Sequence, residues 1–209
     1  MKVLNLYAGI GGNRKLWTDV EVTAVEWVPE IAQIYRGLFP DDEVIETDAH
    51  QFLLENFQDY DFIWSSPPCP THSRIRKSSL NMKLGKIKPV YPDMRLYQEI
   101  IFLEGYFDGL YCVENVVGFY EPLIKARELN RHYFWSNFYI TEKNIQGFNI
   151  EHNKIEDFEK TIGFDLSPYT GIDKKTIMRN CVSPHLGKHI LDCANGVIQQ
   201  KLLTIGVRQ

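Results

Sequence analysis

Lys2-Val3-Leu4-Asn5-Leu6-Tyr7-Ala8-Gly9-Ile10-Gly11-Gly12 sets the architecture: an apolar run of strand length, broken by three glycines within four residues. A strand over residues 2–7 that ends in a glycine turn and passes into a helix, placed at roughly Asn13–Thr18, is a strand–turn–helix unit. The alternation repeats outward from it. Val20–Glu26 reads as a second strand, and Pro29 opens a helix to about Leu38. Val44–Glu46 is a short third strand, Ala49–Asn56 a short helix and Asp61–Trp64 a fourth strand. Residues 67–92 form a long polar loop, a length that marks function in a small domain. Asp93 caps a helix to about Phe107, and Leu110–Glu114 is a fifth strand. Pro122–Leu129 reads as helix, His132–Ile140 as a strand or hairpin arm, and residues 141–175 as irregular. Pro184 opens a final helix that runs, with a break near Gly196, to Leu203. Strands alternating with helices predict an α/β, doubly wound, mostly parallel sheet. Right-handed crossovers then put the strand ends on one rim.

The 209 residues suffice for one domain with a sizeable core, and a 44% hydrophobic fraction excludes a disordered chain. No run reaches membrane-spanning length and the amino terminus lacks a signal-peptide pattern, so a soluble cytoplasmic protein is expected. Cys69, Cys112, Cys181 and Cys193 form no Cys-x-x-Cys pair, which argues against a metal site or a redox motif. The net charge of −4 hides an uneven distribution. Arg74, Arg76, Lys77, Lys83, Lys86 and Lys88 cluster without an acid among them, and Asp41–Asp61 is the acidic counterpart. A local basic patch matters more for phosphate binding than the sum does.

Tyr7-Ala8-Gly9-Ile10-Gly11-Gly12 lets a ligand approach the backbone, although a glycine turn also serves to pack helix on strand. No lysine follows it in the phosphate-loop pattern, so phosphate transfer is not expected. The next strand ends in Glu26-Trp27, a carboxylate for ribose hydroxyls and an indole for stacking on adenine. The third ends in Thr47-Asp48-Ala49, where the acid is an acceptor for an adenine amino group or simply a helix cap. The three in order at successive strand ends favour an adenosyl cofactor.

Ser65-Ser66-Pro67-Pro68-Cys69-Pro70-Thr71-His72-Ser73 follows the apolar Phe62-Ile63-Trp64. A cysteine just past a strand tip, held between prolines, is placed as a nucleophile; the alternative is a free cysteine packed at a strand end. Basic residues beyond it, or the amino end of a helix, are expected to lower its pKa.

These residues resemble, in order, the S-adenosylmethionine-dependent cytosine-C5 DNA methyltransferases. Tyr7 to Gly12 is similar to the family's glycine turn, Glu26-Trp27 and Asp48 to its cofactor acids, and Pro68-Cys69 to its Pro-Cys nucleophile motif. Glu114-Asn115-Val116 matches its Glu-Asn-Val motif, and Arg131 resembles the first arginine of Gln-x-Arg-x-Arg. Asn180-Cys181-Val182-x-Pro184 resembles the segment that returns to close the cofactor pocket, and Leu96 stands where a pocket-lining residue is expected. The resemblance covers residues 1–140 and about 176–192. It implies a Rossmann-like class I methyltransferase fold.

The resemblance implies a covalent reaction. Cys69 adds to C6 of cytosine and makes C5 nucleophilic toward the methyl group of S-adenosylmethionine, which leaves as S-adenosylhomocysteine. Glu114 holds or protonates N3, Asn115 fixes Glu114 or the loop, and Arg131 binds the cytosine O2 or orients Glu114. Tyr7, Ala8, Gly9, Ile10, Gly11, Gly12, Glu26, Trp27, Asp48, Ala49, Pro68, Leu96, Asn180 and Val182 would line the cofactor site. The partner would be double-stranded DNA with its target base flipped, met by Ser73, Arg74, Arg76 and Lys77. No metal is implied.

The chain departs from the pattern at Pro70, Tyr133 and Arg179. Only 141–175 remains for target recognition, between catalytic segments 1–140 and 176–209; such compactness would suit a phage or mobile element. A recognition subunit in trans, the same chemistry on RNA or a nucleotide, and a non-catalytic cofactor- or DNA-binding subunit are therefore the alternatives.

Overall fold

A computed structural model of the chain describes residues 1–74, 85, 88–145 and 155–196. Seven strands form one sheet: β1 Lys2–Leu6, β2 Glu21–Val25, β3 Glu43–Ile45, β4 Phe62–Ser65, β5 Leu110–Val116, β6 Arg127–Leu129 and β7 His132–Ser136. Their order is β3-β2-β1-β4-β5-β7-β6. The first five run parallel, and β7 is antiparallel to both β5 and β6. This is the doubly wound sheet that the sequence predicts. The order reverses between β1 and β4, so a crevice opens at their carboxyl ends.

The helices are α1 Pro29–Leu38, α2 Ala49–Asn56, α3 Arg95–Tyr106, α4 Ile155–Ile162, α5 Lys174–Arg179 and α6 Pro184–Ala194. On one face Val3, Val22, Trp64 and Phe134 pack against Leu186, Ile190 and Leu191 of α6. On the other, Leu4, Leu6, Ile63 and Val113 pack against Leu53 of α2 and Leu96, Ile100 and Leu103 of α3. The central strands are apolar on both sides because both sides are covered.

Three local expectations are corrected. Residues 13–18 are not a helix: turns run over 12–16, and 17 and 18 have no regular structure. The Asn13 side chain turns inward and donates to Asn5 Oδ1 at 2.8 Å. Gly187 of α6 sits so close that a Cβ there would lie 2.1 Å from the Asn13 carbonyl oxygen. Residues 122–129 are not a helix either: Arg127–Leu129 is β6, paired with β7. Asn130 and Arg131, at φ 50° and 69°, make the two-residue connection that such a hairpin requires. The backbone before β6 is held by side chains, Leu123 N–H donating to Tyr97 Oη and Trp135 Nε1 donating to the Ile124 carbonyl. Finally, part of 141–175 is helical. Phe158 and Ile162 lie one turn apart and pack, with Phe164 and Met178, against Ile34 of α1. The aromatics Phe158 and Phe164 thus cover a helix rather than the sheet.

α3 starts two residues after Asp93, whose Oδ1 accepts from Arg95 N at 3.1 Å. The expected end of the last helix beyond Gly196 lies outside the described residues, as do Arg76, Lys77, Lys83 and Lys86.

Candidate active site

The glycine turn leaves the end of β1 through Tyr7 and Gly9, at φ 54° and 56°. Gly11, at φ 79°, packs so tightly that a Cβ would lie 2.4 Å from the Phe39 ring. Gly12 faces the Cys181–Val182 backbone, with the Val182 carbonyl oxygen 2.6 Å from a would-be Cβ. The turn and the Asn180–Val182 segment are therefore in contact. Gly9 differs: a Cβ there would meet open space. Ala8, Ile10, Ala49 and Val182 are buried, while Pro68 and Asn180 are exposed.

At the end of β2, Glu26 Oε2 accepts from Gly9 N–H at 3.0 Å and Oε1 from Val28 N–H at 2.9 Å. Each oxygen keeps a second lone pair for a ligand hydroxyl. Trp27 is 71% exposed and packs in no core cluster, so its indole face is open. Asp48 acts as a cap: Oδ1 accepts from Gln51 N at 3.0 Å, and Oδ2 lies 3.7 Å from Arg95. Leu96 is buried in the α3 core and also borders a small cleft with His72, Asn115 and Val116. Open space over Gly9, an acid with spare acceptors and an exposed indole form a donor set that fits an adenosyl cofactor.

Beneath this rim lies a carboxylate that sequence reading passes over. Glu99 is fully buried. It accepts from Tyr7 Oη at 2.5 Å, from Ser65 Oγ at 2.5 Å and from His50 Nδ1 at 3.0 Å. It thus ties together β1, β4, α2 and α3. Its signal was present in the sequence: Leu96, Glu99, Ile100 and Leu103 form one apolar stripe with an acid inside it.

Cys69 is half-buried in the loop after β4, and the other three cysteines are buried. Its carbonyl accepts from His72 N at 2.9 Å and Ser73 N at 3.1 Å, which closes a turn around it. Asn115, buried on β5, donates to the Pro67 carbonyl at 2.9 Å and fixes the loop from the neighbouring strand. Burial, and then the charge of Glu114, push the Cys69 thiol above its ordinary range. This is opposite to the lowering expected from the basic loop.

The loop after β4 is also stitched to the turn after β5. Ser73 bridges to Gly118, Phe119 N donates to the His72 carbonyl, and Arg74 Nε donates to the Gly118 carbonyl at 3.0 Å. His72 is buried, bonded to Tyr120 Oη at 2.6 Å and the Asp93 carbonyl at 3.1 Å, and burial lowers its pKa.

Glu114 is buried at the end of β5, and its partner is His132 Nδ1 at 2.5 Å. Arg131 sits at the exposed tip of the β6–β7 hairpin. His132 is the second residue that sequence reading missed. Only the hairpin register, which depends on the two positive-φ residues, brings it to Glu114.

Several solved structures are similar to this chain. A putative DNA modification methyltransferase encoded within an Escherichia coli prophage is 16% identical, over 76% of this chain and 54% of that one, with a TM-score of 0.45. A mutant DNMT2 of Spodoptera frugiperda is 26% identical, over 56% of this chain and 36% of that one, with a TM-score of 0.39. This chain thus spans about half the length of the first and a third of the second. A hypothetical protein of Thermus thermophilus is 18% identical over 65% of this chain and 73% of that one, with a TM-score of 0.41. No curated protein matches. The family whose model matches the chain is C-5 cytosine-specific DNA methylase, over residues 1–87, which take in the glycine turn, Glu26-Trp27, Asp48 and Cys69.

Proposed function

We propose that the chain is a minimal DNA cytosine-C5 methyltransferase that works through a covalent Cys69 adduct. The observation that carries this reading is one juxtaposition. A half-buried cysteine after β4 feels the charge of a buried glutamate at the end of β5, at the crevice where the sheet order reverses. The family match over residues 1–87 supports it.

Bound S-adenosylmethionine supplies an electrophilic methyl group. Glu26 and Trp27 would hold its adenosine, and the glycine turn would admit it. The Cys69 thiolate adds to C6 of cytosine, and the C5–C6 π pair moves toward C4 and on to N3. Glu114 takes up that charge by hydrogen-bonding or protonating N3. Asn115 holds the Cys69 loop to β5 while the sulfur approaches the ring. The target base would enter flipped from the duplex, because C6 is shielded in the stack. Ser73 and Arg74 stand at the start of the loop that would meet the DNA.

A second reading keeps the chemistry but changes the substrate to RNA or a nucleotide. It is favoured by the small segment after β7, whose Phe158, Ile162 and Phe164 are spent on packing against α1. A recognition partner in trans would serve the same need for DNA.

The test is a covalent trap. The protein is incubated with S-adenosylmethionine and DNA carrying 5-fluorocytosine, and the products are run on a denaturing gel. An adduct that needs the cofactor and is lost in Cys69→Ala supports the proposal. An adduct with RNA alone selects the second reading. No adduct on either, with cofactor binding intact, favours a non-catalytic subunit.

A further inference from the structure

We propose that His132 is the positioning residue of Glu114 and holds it as the Nδ1–H tautomer; the proposal rests on the methyl-transfer reading above. The antiparallel register pairs Glu114 with Phe134 and Val116 with His132. Glu114 and His132 are therefore diagonal neighbours on one face of the sheet. A slip of one residue would turn His132 to the other face and bring Arg131 or Tyr133 in its place. The Asn130–Arg131 turn prevents that slip, since it fixes the hairpin with both residues at positive φ. Asn130 is itself anchored, donating from Nδ2 to the Ile145 carbonyl at 2.9 Å.

The contact has a definite chemical sense. A buried carboxylate is an acceptor, so Nδ1 must donate across the 2.5 Å separation. The imidazole lies against the Phe134 ring, 6.2 Å between centroids and tilted by 33°, which fixes its plane. Its side chain is 24% exposed, against 7% for Glu114. Nε2 has no hydrogen-bond partner among the described residues, so Nδ1 carries the ring's one polar contact there. In the reaction, a carboxylate pinned through Oε1 presents Oε2 in one orientation. That is what a group meeting a single ring nitrogen needs, because misplacement by about 1 Å costs roughly a hundredfold in rate.

Two readouts test this. Ring-nitrogen NMR of histidine-labelled protein reports the tautomer without substrate or cofactor. The neutral His132 ring is expected as Nδ1–H in the wild type and as the water-favoured Nε2–H form in Glu114→Ala. Finding Nε2–H in the wild type overturns the proposal. Kinetics supply the second readout. Asparagine carries an amide nitrogen where His132 has Nδ1, so His132→Asn should keep kcat within about threefold, whereas His132→Leu should lose about a hundredfold in kcat with KM for DNA unchanged. Equal losses in both variants, or none in His132→Leu, overturn it. Absence of any adduct in the wild type refutes the methyl-transfer reading, while the tautomer measurement still decides the contact.

Discussion

Tyr7 and Glu99 meet below the carboxyl rim of the sheet, the Tyr7 hydroxyl donating to Glu99 Oε1 at 2.5 Å. Burial, and then the Glu99 charge, push the Tyr7 hydroxyl far above its ordinary pKa, so it stays a neutral donor. Tyr7 opens the glycine turn at φ 54°, a conformation unfavourable for a side chain of its size. The bond to Glu99 is what the fold sets against that cost. Glu99→Gln would turn one acceptor oxygen into a donor facing hydroxyls that themselves donate. The variant should lose about 1–3 kcal/mol of stability, measured by urea unfolding. Unchanged stability would mean that the three donors do not depend on the charge.

His50 makes the same node sensitive to pH. Its hydrogen bond to Glu99 raises the His50 pKa above 6.5, against the lowering effect of burial. A group whose pKa is higher in the folded than in the unfolded state contributes stability that is full below the unfolded value and lost as pH rises through the folded value. The gap in melting temperature between wild type and His50→Gln should therefore be widest below the ordinary histidine range and narrow as pH rises above it. A gap that grows with pH would reverse the assignment.

The parallel strands were legible because each is an apolar run bounded by a turn. The glycine turn, Cys69 and Glu114 were legible because they fall at strand ends, where short motifs survive intact. The remainder depended on tertiary contact. Residues 13–18 have no helix because Gly187 and Asn5 hold Asn13, and both are distant in sequence. Arg127–Leu129 is a strand because a left-handed turn returns it along β7, overriding a helix-compatible composition. His132 and Glu99 were missed for different reasons. The first needs the hairpin register. The second was masked by a helical stripe that is otherwise apolar.

Cys69 and Glu114 oppose one another at rest. Burial and the Glu114 charge both raise the thiol, so few molecules carry the thiolate at neutral pH. Alkylation of Cys69 by iodoacetamide, followed by mass spectrometry, should be slow near pH 7 and accelerate beyond the ordinary thiol range. Glu114→Gln removes the charge and should make Cys69 react faster at any one pH, while abolishing adduct formation with DNA. Slower alkylation in that variant would mean that Glu114 activates the thiol instead. The other cysteines are buried and should stay unlabelled in the native protein.

Gly187 shows how closely α6 meets the turns after β1. A Cβ there would lie 2.1 Å from the Asn13 carbonyl oxygen and 2.6 Å from its Cα, both backbone atoms. Neither can rotate away, so Gly187→Ala must push α6 from the turn. The expected cost is about 1–3 kcal/mol in urea unfolding, together with weaker cofactor binding because Gly12 rests on the Cys181–Val182 segment just before α6. Gly196→Ala is the control for substitution itself: its site is open, and only its φ of 69° opposes a side chain.

Trp27 separates binding from folding. It is 71% exposed and belongs to no core cluster, so Trp27→Ala should change stability by no more than about 0.5 kcal/mol. If the indole stacks on the adenine, the same change removes an interaction worth about 1–3 kcal/mol. Cofactor affinity, measured by calorimetry, should then fall by roughly five- to a hundredfold, and Trp27→Phe should recover most of it. The two readouts must diverge. A variant that binds S-adenosylmethionine as well as the wild type does would remove Trp27 from the pocket and leave Glu26 as the sole side chain at the end of β2 that grips the adenosine.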